Sequence, residues 1–581
     1  MFSMIPKTPE FDKAIKAILA DLKPHDRKCG ECGGEFRIEP EDIEFLKKFS
    51  VPSPTLCPAC RLRRKLAYRI NMLPVFYKKS CAAPGHSEKV LAFYPEDNPI
   101  PVYDDSFYLS DKWDPISFGI DFSPGAPFFE EFYKFAVKVP HQTLQRDPRG
   151  IGCEYTISGL SSKNCYIATS PIRSENVYYA RLPVGCRDSL DIHDVDNSEW
   201  CYEGVRLSRC YGCFYSTDLA DCVDSYFLFD CVNCQNCFGC TNLRNKKYCF
   251  LNEQLSKDDY EDRMSKIDLG SRRVVERWRD KFRELENKAI RKNLKNIKVN
   301  NVFGNELENC ENCQIAFRVF GGSKNIRHTV HVESSEEIMD VFGASDVSFL
   351  YESTAVAPGN NVKFSIMIRN GVGMEYCMEC NDCQNCFGCL GLRSKKYCIF
   401  NKQYSEEEYW ARVDKIKTEM LGRGEYGEFF PIHHSFIAYN DSNAGVEFPL
   451  TKEEVLKRGW RWQDQVESEV DLSKIEILKP KDVPDNIVDV GEDILGKAII
   501  CEKTGKPFRI TKYELDFYRK QGIPIPVEHP FERMRRRLKQ QIPFRLWQTI
   551  CSKCNKEIYS GYNPENKFVV YCEECYQKEV L

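Results

Sequence analysis

The chain has 581 residues, with 82 Lys and Arg against 86 Asp and Glu and a net charge of −4. That length leaves room for roughly three to five domains, and the charge excludes a uniformly basic nucleic-acid coat while leaving local basic patches open. No apolar run approaches the about 20 residues of a membrane span. The opening stretch, MFSMIPKTPEFDKAIKAILADLK, lacks the apolar core and cleavage site of a signal peptide. A cytoplasmic protein without membrane contact is therefore expected, and its 30 cysteines read as metal ligands and buried thiols before disulfides.

Residues 1–24 are predicted to form a short amphipathic helix. Residues 25–115 form a first zinc module, a treble clef followed by a degenerate ribbon. Its motif is Cys29-x2-Cys32 with Cys57-x2-Cys60, and four thiolates on two tight turns complete a tetrahedron around one ion. The second pair opens a basic helix in CPACRLRRKLAYR, where Arg61, Arg63, Arg64, Lys65 and Arg69 follow one another with no acid between them. A zinc finger that runs into such a helix is a candidate nucleic-acid contact, although protein-contact fingers share the pattern. Residues 116–160 are an aromatic- and proline-rich connector.

Residues 161–253 carry a period of twelve. Columns recur every third residue: Ser162, Ser174, Cys186, Ser198, Cys210, Cys222, Cys234; then Cys165, Val177, Ser189, Cys201, Cys213, Ser225, Cys237, Cys249; then an Ala168 column and a Pro171 column. Small residues at spacing three imply four inward positions in a narrow coil, which is a β-solenoid. Beside the second column runs Tyr166, Tyr178, Leu190, Tyr202, Phe214, Tyr226, Phe238, Phe250, expected to stack on an outer face. The architecture resembles the twelve-residue-coil insect antifreeze β-helix, without its paired-threonine face. The close-set Cys231, Cys234, Cys237 and Cys240, and Cys377, Cys380, Cys383, Cys386 and Cys389, suit either an iron–sulfur cluster or, preferred here, lumen-filling thiols.

Residues 254–301 are a helical connector; from 271 to 298 it holds eleven Lys/Arg and four Asp/Glu. A second, less regular solenoid is expected over 302–402, with rows beginning near Cys310, Ser323, Ser335, Ser345 and Asn360. Its end repeats the first: CQNCFGCTNLRNKKYCFLNEQLSKDDY at 234 matches CQNCFGCLGLRSKKYCIFNKQYSEEEY at 383 without a gap. Ser256-x-x-Asp259 and Ser405-x-x-Glu408 resemble capping boxes, the latter opening a capping helix over 403–422. Residues 423–495 are expected to be a loose linker, in which His433-His434 reads as incidental.

Residues 496–581 form a second zinc module, a degenerate treble clef plus a zinc ribbon with Cys551-x2-Cys554 and Cys572-x2-Cys575. The two ends align: Cys29, Cys32, Phe36, Cys57 and Pro58 fall on Cys501, Thr504, Phe508, His529 and Pro530, and both continue into basic helices, here Arg533, Arg535, Arg536 and Arg537. Cys81, Tyr94 and Tyr103 resemble Cys551, Tyr562 and Tyr571. An ancestral two-zinc module with one site surviving in each copy accounts for this, giving two structural Zn2+ ions. The remnants Cys81/His86 and Cys501/His529/Glu532 lack a full ligand set and read as packed residues.

For catalysis the best candidates are Asp188, Asp191, His193, Asp194 and Asp196, carboxylates aligned as a β-helix sugar-cleaving enzyme would need. No phosphate loop, GxSxG or HExxH is present. In CPACRLRRKLAYR, SDKWDP, CQNCFGC with KKYC, FPLTKEEVLKRGWRW and ELDFYRKQGIPIP, the chain resembles an uncharacterised family of zinc-finger proteins of small-genome candidate-phylum bacteria. Some members carry a CaiB/BaiF-type CoA-transferase label, but the α/β fold and catalytic aspartate of those enzymes cannot be placed here. The reading is thus mainly β with α: two narrow solenoids of about 12 residues per coil, helical caps, and zinc modules at both ends. The expected function is a non-enzymatic scaffold or adaptor that presents an aromatic solenoid face to a macromolecular partner. The alternatives are an RNA-, DNA- or ribosome-associated protein and a polysaccharide-active enzyme.

Overall fold

From Thr156 to Phe250 the backbone pairs with itself in parallel, each residue against the one twelve positions on. Thr156 meets Ala168, Arg181 meets His193, Ile192 meets Gly204, Leu219 meets Cys231 and Leu228 meets Cys240. The computed structural model describes residues 7–123, 125–464, 473 and 475–581; the start of the expected N-terminal helix and part of the expected linker lie outside these. Helix and strand are mixed, at 26% and 33%, so the chain is less dominated by strand than the sequence suggests.

The period of three has a backbone cause. Every third residue along much of this ladder has a left-handed conformation, as at Asn164, Ile167, Ser170 and Arg173, so the chain turns a corner after each three-residue side. Many corners are Asn or Asp, which tolerate that region best among non-glycine residues. The residue after each corner is buried: Cys165, Ala168, Ser189, Cys201 and Cys213 are 1% exposed or less. These side chains also bond the backbone between rows. Ser189 Oγ accepts from the N–H of Cys201 at 3.0 Å, and Cys213 Sγ donates to the carbonyl of Cys222 at 3.4 Å. Small polar side chains thus sit beside buried Ile192, Leu207, Leu219 and Leu228 and add side-chain bonds to the backbone ladder between rows.

A second ladder runs from Asn300 to Ile399. Its register steps by eleven, twelve and thirteen at first (Asn300 with Glu311, Gly304 with Ala316, Glu311 with Lys324) and by twelve thereafter (Ile338 with Leu350, Cys386 with Cys398). The first inward column continues through Ser323 and Ser335 to Val347, Gly359 and Gly371, which corrects the row starts expected at Ser345 and Asn360. The error arose because this interior is aliphatic in its middle, with Ile326, Val332, Ile338, Leu350 and Val362, and loses the Ser/Cys signature. Both ladders end in a short antiparallel turn (Cys249 with Gln254, Cys398 with Gln403) followed by a Ser-capped helix, Lys257–Ser265 or Glu406–Gly422.

The ladders lie side by side and antiparallel. Asp194 pairs with Arg318, and Arg206 reaches Glu306 at 4.0 Å. The two terminal modules cross over: the N-terminal module packs on the second ladder and the C-terminal module on the first. Residues 423–464, expected to be loose, pack tightly, with Phe429, Phe430, Tyr439, Ala444 and Val455 buried; their aromatic content finds a core in the groove beside the N-terminal module.

Candidate metal centres

Each module is a short hairpin, a capped helix and a second helix begun by Cys-Pro or His-Pro. In the N-terminal copy the hairpin His25–Lys28 with Glu35–Ile38 carries Cys29 and Cys32 on its turn, and helix Pro58–Leu66 carries Cys57 as its N-cap and Cys60 in its first turn. The ligand atoms of these four cysteines lie within 4.8 Å of one another, as do those of Cys551, Cys554, Cys572 and Cys575. Cys32 and Cys57 have sulfurs 3.9 Å apart, and Cys554 and Cys572 are 3.8 Å apart. Bonds of about 2.3 Å to a tetrahedral centre would place sulfurs about 3.8 Å apart, so both sets fit a tetrahedrally held ion. Backbone donors support the thiolate form: the N–H of Cys57 reaches Cys29 Sγ and that of Cys572 reaches Cys551 Sγ, each at 3.3 Å. Burial pushes the Cys551 thiol up, but the N–H groups of Cys554 and Cys572 outweigh it and bring it to about 6.

The degenerate copies differ from one another. Cys501 keeps its bond from the N–H of His529, at 3.2 Å, but His529 turns Nδ1 to the N–H of Phe531 and Glu532 pairs with Arg535; these three form no converging set among the described residues. Cys81 and His86 do converge, with Asp104 as a third ligand that the sequence reading missed. Its signal was present: Asp104 follows Tyr103 as Cys572 follows Tyr571. His433 and His434 come together with exposed Glu130. The ladder thiols, Cys231 to Cys240 and Cys377 to Cys389, stack along the columns and donate to backbone carbonyls, as Cys231 does to Cys240 and Cys377 to Cys386.

The basic helices do not form an open surface. Arg61, Arg64, Lys65, Arg69, Arg533 and Arg537 are buried. Arg61 meets Asp340 at 2.9 Å, Arg64 meets Glu352 at 3.2 Å, and Lys65 meets Glu352 at 3.3 Å. Arg533 and Arg537 both hold Asp191, at 2.5 and 2.7 Å, and Arg536 holds Glu203 at 2.5 Å. Arg63 pairs with Glu31 and Arg535 with Glu532, while Arg69 lies against Gln145 and Met367 and burial holds it down at about 10. Arg61, Arg64, Lys65, Arg533, Arg536 and Arg537, expected at phosphates, are therefore engaged in ion pairs with ladder carboxylates, because buried charge must be matched.

The same contacts correct two other expectations. Asp191 is fully buried under helix Pro530–Leu538, and Asp194 is held by Arg181 and Arg318. Burial presses His193 down to about 3, so it stays neutral. Asp188 accepts from Asn176. Asp191 and Asp194, where a sugar groove was expected, thus face protein. The aromatic ladder is also covered. Tyr513 lies 4.6 Å from Tyr178, Tyr518 lies 5.6 Å from Tyr202, and Trp278 stands edge-on to Phe238 at 4.8 Å. Leu190, Phe214 and Phe238 are 2% exposed or less. A row of large apolar side chains is more stable buried by the chain's own helices than left in water.

No family model, no curated protein and no solved structure matches the chain. No helix among the described residues is long and apolar enough to cross a membrane.

Proposed function

We propose that this chain is a non-enzymatic, zinc-stabilised scaffold. In this reading the two ladders are narrow β-solenoids, each clamped by one terminal module, and a macromolecular partner meets the side that no module covers. The supporting observation is that the groups which looked reactive or sticky in the sequence are engaged inside the molecule: Asp191 and Asp194, the basic helices and the aromatic row. Outward positions remain in two adjacent columns, Lys163, Arg187 and Tyr211 in one and the corners Asn164 and Asp224 in the other, all exposed, and each column repeats at the about 4.8 Å spacing of neighbouring strands. Zinc is the proposed ion because four thiolates in a tetrahedron select it over harder cations. The free thiols fit a reducing cytoplasm.

Two measurements test this reading. Replacing Arg187 and Tyr211 with Asp should abolish capture of the partner and leave the melting temperature unchanged; retained capture would refute the surface assignment. Turnover of a polysaccharide that is lost on Asp191→Asn would refute the scaffold. A nucleic-acid role has one specific support: helix Arg272–Lys288 exposes Arg273, Arg277, Lys281 and Lys288, though among exposed Glu276, Asp280 and Glu284. That role predicts affinity falling steeply with salt, whereas a mixed-charge protein contact would change little.

A further inference from the structure

We propose that Cys81, His86 and Asp104 form a third metal site, a zinc ribbon rebuilt with three mixed ligands and one exchangeable position. The two ribbons share their framework. Strand Tyr77–Ser80 runs into Cys81 as Trp547–Ile550 runs into Cys551, and each strand pairs with a returning one, Lys89–Ala92 or Glu557–Ser560. The N–H of Ala82 bonds the carbonyl of Val102 at 2.8 Å, and that of Ser552 bonds the carbonyl of Val570 at 2.8 Å. Strand Val102–Tyr103 then ends at Asp104 as Val569–Tyr571 ends at Cys572, each residue being the N-cap of a helix. On this framework Cys81 stands at Cys551, His86 in the turn that carries Cys554, Asp104 at Cys572, and Phe107 at Cys575.

The ligand atoms are close enough to share an ion. Cys81 Sγ lies 3.6 Å from His86 Nδ1 and 4.0 Å from Asp104 Oδ2, and Nδ1 and Oδ2 are 3.3 Å apart. Asp104 divides its oxygens: Oδ1 accepts from the N–H groups of Ser106 and Phe107, which leaves Oδ2 for the site. Phe107 packs edge-on against the His86 ring at 5.2 Å and orients it. The fourth ligand is lost at Phe107, but Glu88 Oε1 lies 3.3 Å from His86 Nδ1 on a largely exposed side chain, where it or a water can complete the shell. One sulfur, one nitrogen and one oxygen suit Zn2+, and three protein ligands with an exchangeable fourth are the pattern of zinc that binds an outside ligand rather than only holding a fold. This site is independent of the two tetrathiolate sets.

The test is a metal count on the full chain, loaded with Zn2+ and desalted, by mass spectrometry and by release to a chromophoric chelator. Wild type should hold three equivalents, and His86→Ala, Cys81→Ser and Asp104→Asn two each, with circular dichroism and melting temperature near wild type. Asp104→Asn keeps the helix cap and guards against a folding artefact. With Co2+ as probe, the wild-type minus Cys81→Ser difference spectrum should show a single thiolate-to-metal band. A count that does not change across the three variants would overturn the proposal. A count that falls by one on Cys29→Ser while staying constant across these three would locate the failure here and leave the tetrathiolate sets standing.

Discussion

The N-terminal module on the second ladder and the C-terminal module on the first solve one docking problem twice. Arg61 and Arg533 are 472 residues apart, as are Lys65 and Arg537, and Asp42 and Glu514. Their partners Asp340 and Asp191 are 149 apart, as are Glu352 and Glu203, His328 and Tyr179, and the two CQNCFGC segments. The contacts correspond: Arg61 to Asp340 as Arg533 to Asp191, Arg64 to Glu352 as Arg536 to Glu203. The acid of each capped helix reaches its ladder in the same way, Asp42 to His328 at 3.0 Å and Glu514 to Tyr179 at 2.8 Å. The molecule is two copies of one module-plus-ladder unit with the modules exchanged end for end. The copies differ where charge is shared. Glu352 is fully buried and serves Arg61, Arg64 and Lys65, whereas Glu203 lies nearer the rim and is shared by Arg536 and Arg279. In the first interface Asp340 and Glu352 both reach Arg61 and Lys65; in the second, Asp191 is the carboxylate shared by Arg533 and Arg537, with Glu514 farther off, 3.7 Å from Arg533 alone.

The strongest test of this comparison removes the two aspartates in turn. Asp191→Ala leaves two buried guanidinium groups without their main partner, a change that costs about 3–5 kcal/mol in such settings. Asp340→Ala should cost less, since Glu352 still reaches Arg61 and Lys65, and urea unfolding of both variants measures the gap; equal losses would remove the asymmetry. Next in size, Cys213→Phe should overpack the first ladder by about 1–3 kcal/mol, while Cys213→Ser, which occurs naturally one row on at Ser225, should remain close to wild type. Loss of stability in the serine variant would count against the narrow interior.

Removing the metal proposed for the two four-cysteine sets should unfold both modules and leave most ladder circular dichroism, because metal binding is folding energy for small modules while the ladders carry their own core. Trp278→Ala should expose Phe238 and Phe250 and cost about 2 kcal/mol, less than the about 3–5 of a fully buried tryptophan; dye binding to the uncovered row reports it. The smallest effect is on pH dependence. Burial pushes Glu203 up, but Arg279 and Arg536 outweigh it and hold it well below the carboxylate range. Its contribution is complete above the unfolded value near pH 4 and is lost as pH falls through the lower folded value. Burial holds Glu352 above its ordinary value despite Lys65 and Arg64, so the folded chain takes up this proton more readily than the unfolded one. Glu203→Gln should therefore flatten the fall in stability that begins at about pH 5 and continues down through the lower folded value, and Glu352→Gln should not.

Much of the metal chemistry was legible locally. The Cys-x-x-Cys pairs placed both tetrathiolate sets because each half-site sits on one short turn. The twelve-residue columns marked which residues the first ladder buries, because its row length does not vary along the paired rows and its Ser, Cys and Ala columns recur beside buried Ile192, Leu207, Leu219 and Leu228. In the second ladder, row lengths of eleven and thirteen and aliphatic filling hid the register near Val347 and Gly359. Asp104 escaped notice because a carboxylate in place of a cysteine keeps the position and changes the letter.

What the sequence determined by itself were local repeats: turns that bring thiols together, and a side of three residues closed by a left-handed corner. Tertiary structure decided which surfaces stay open. A basic helix, a row of aromatics and a line of carboxylates each resemble a binding face when read alone. Buried charge requires an opposite charge and apolar surface requires cover, so in this chain those three faces close on one another, through contacts between residues hundreds of positions apart.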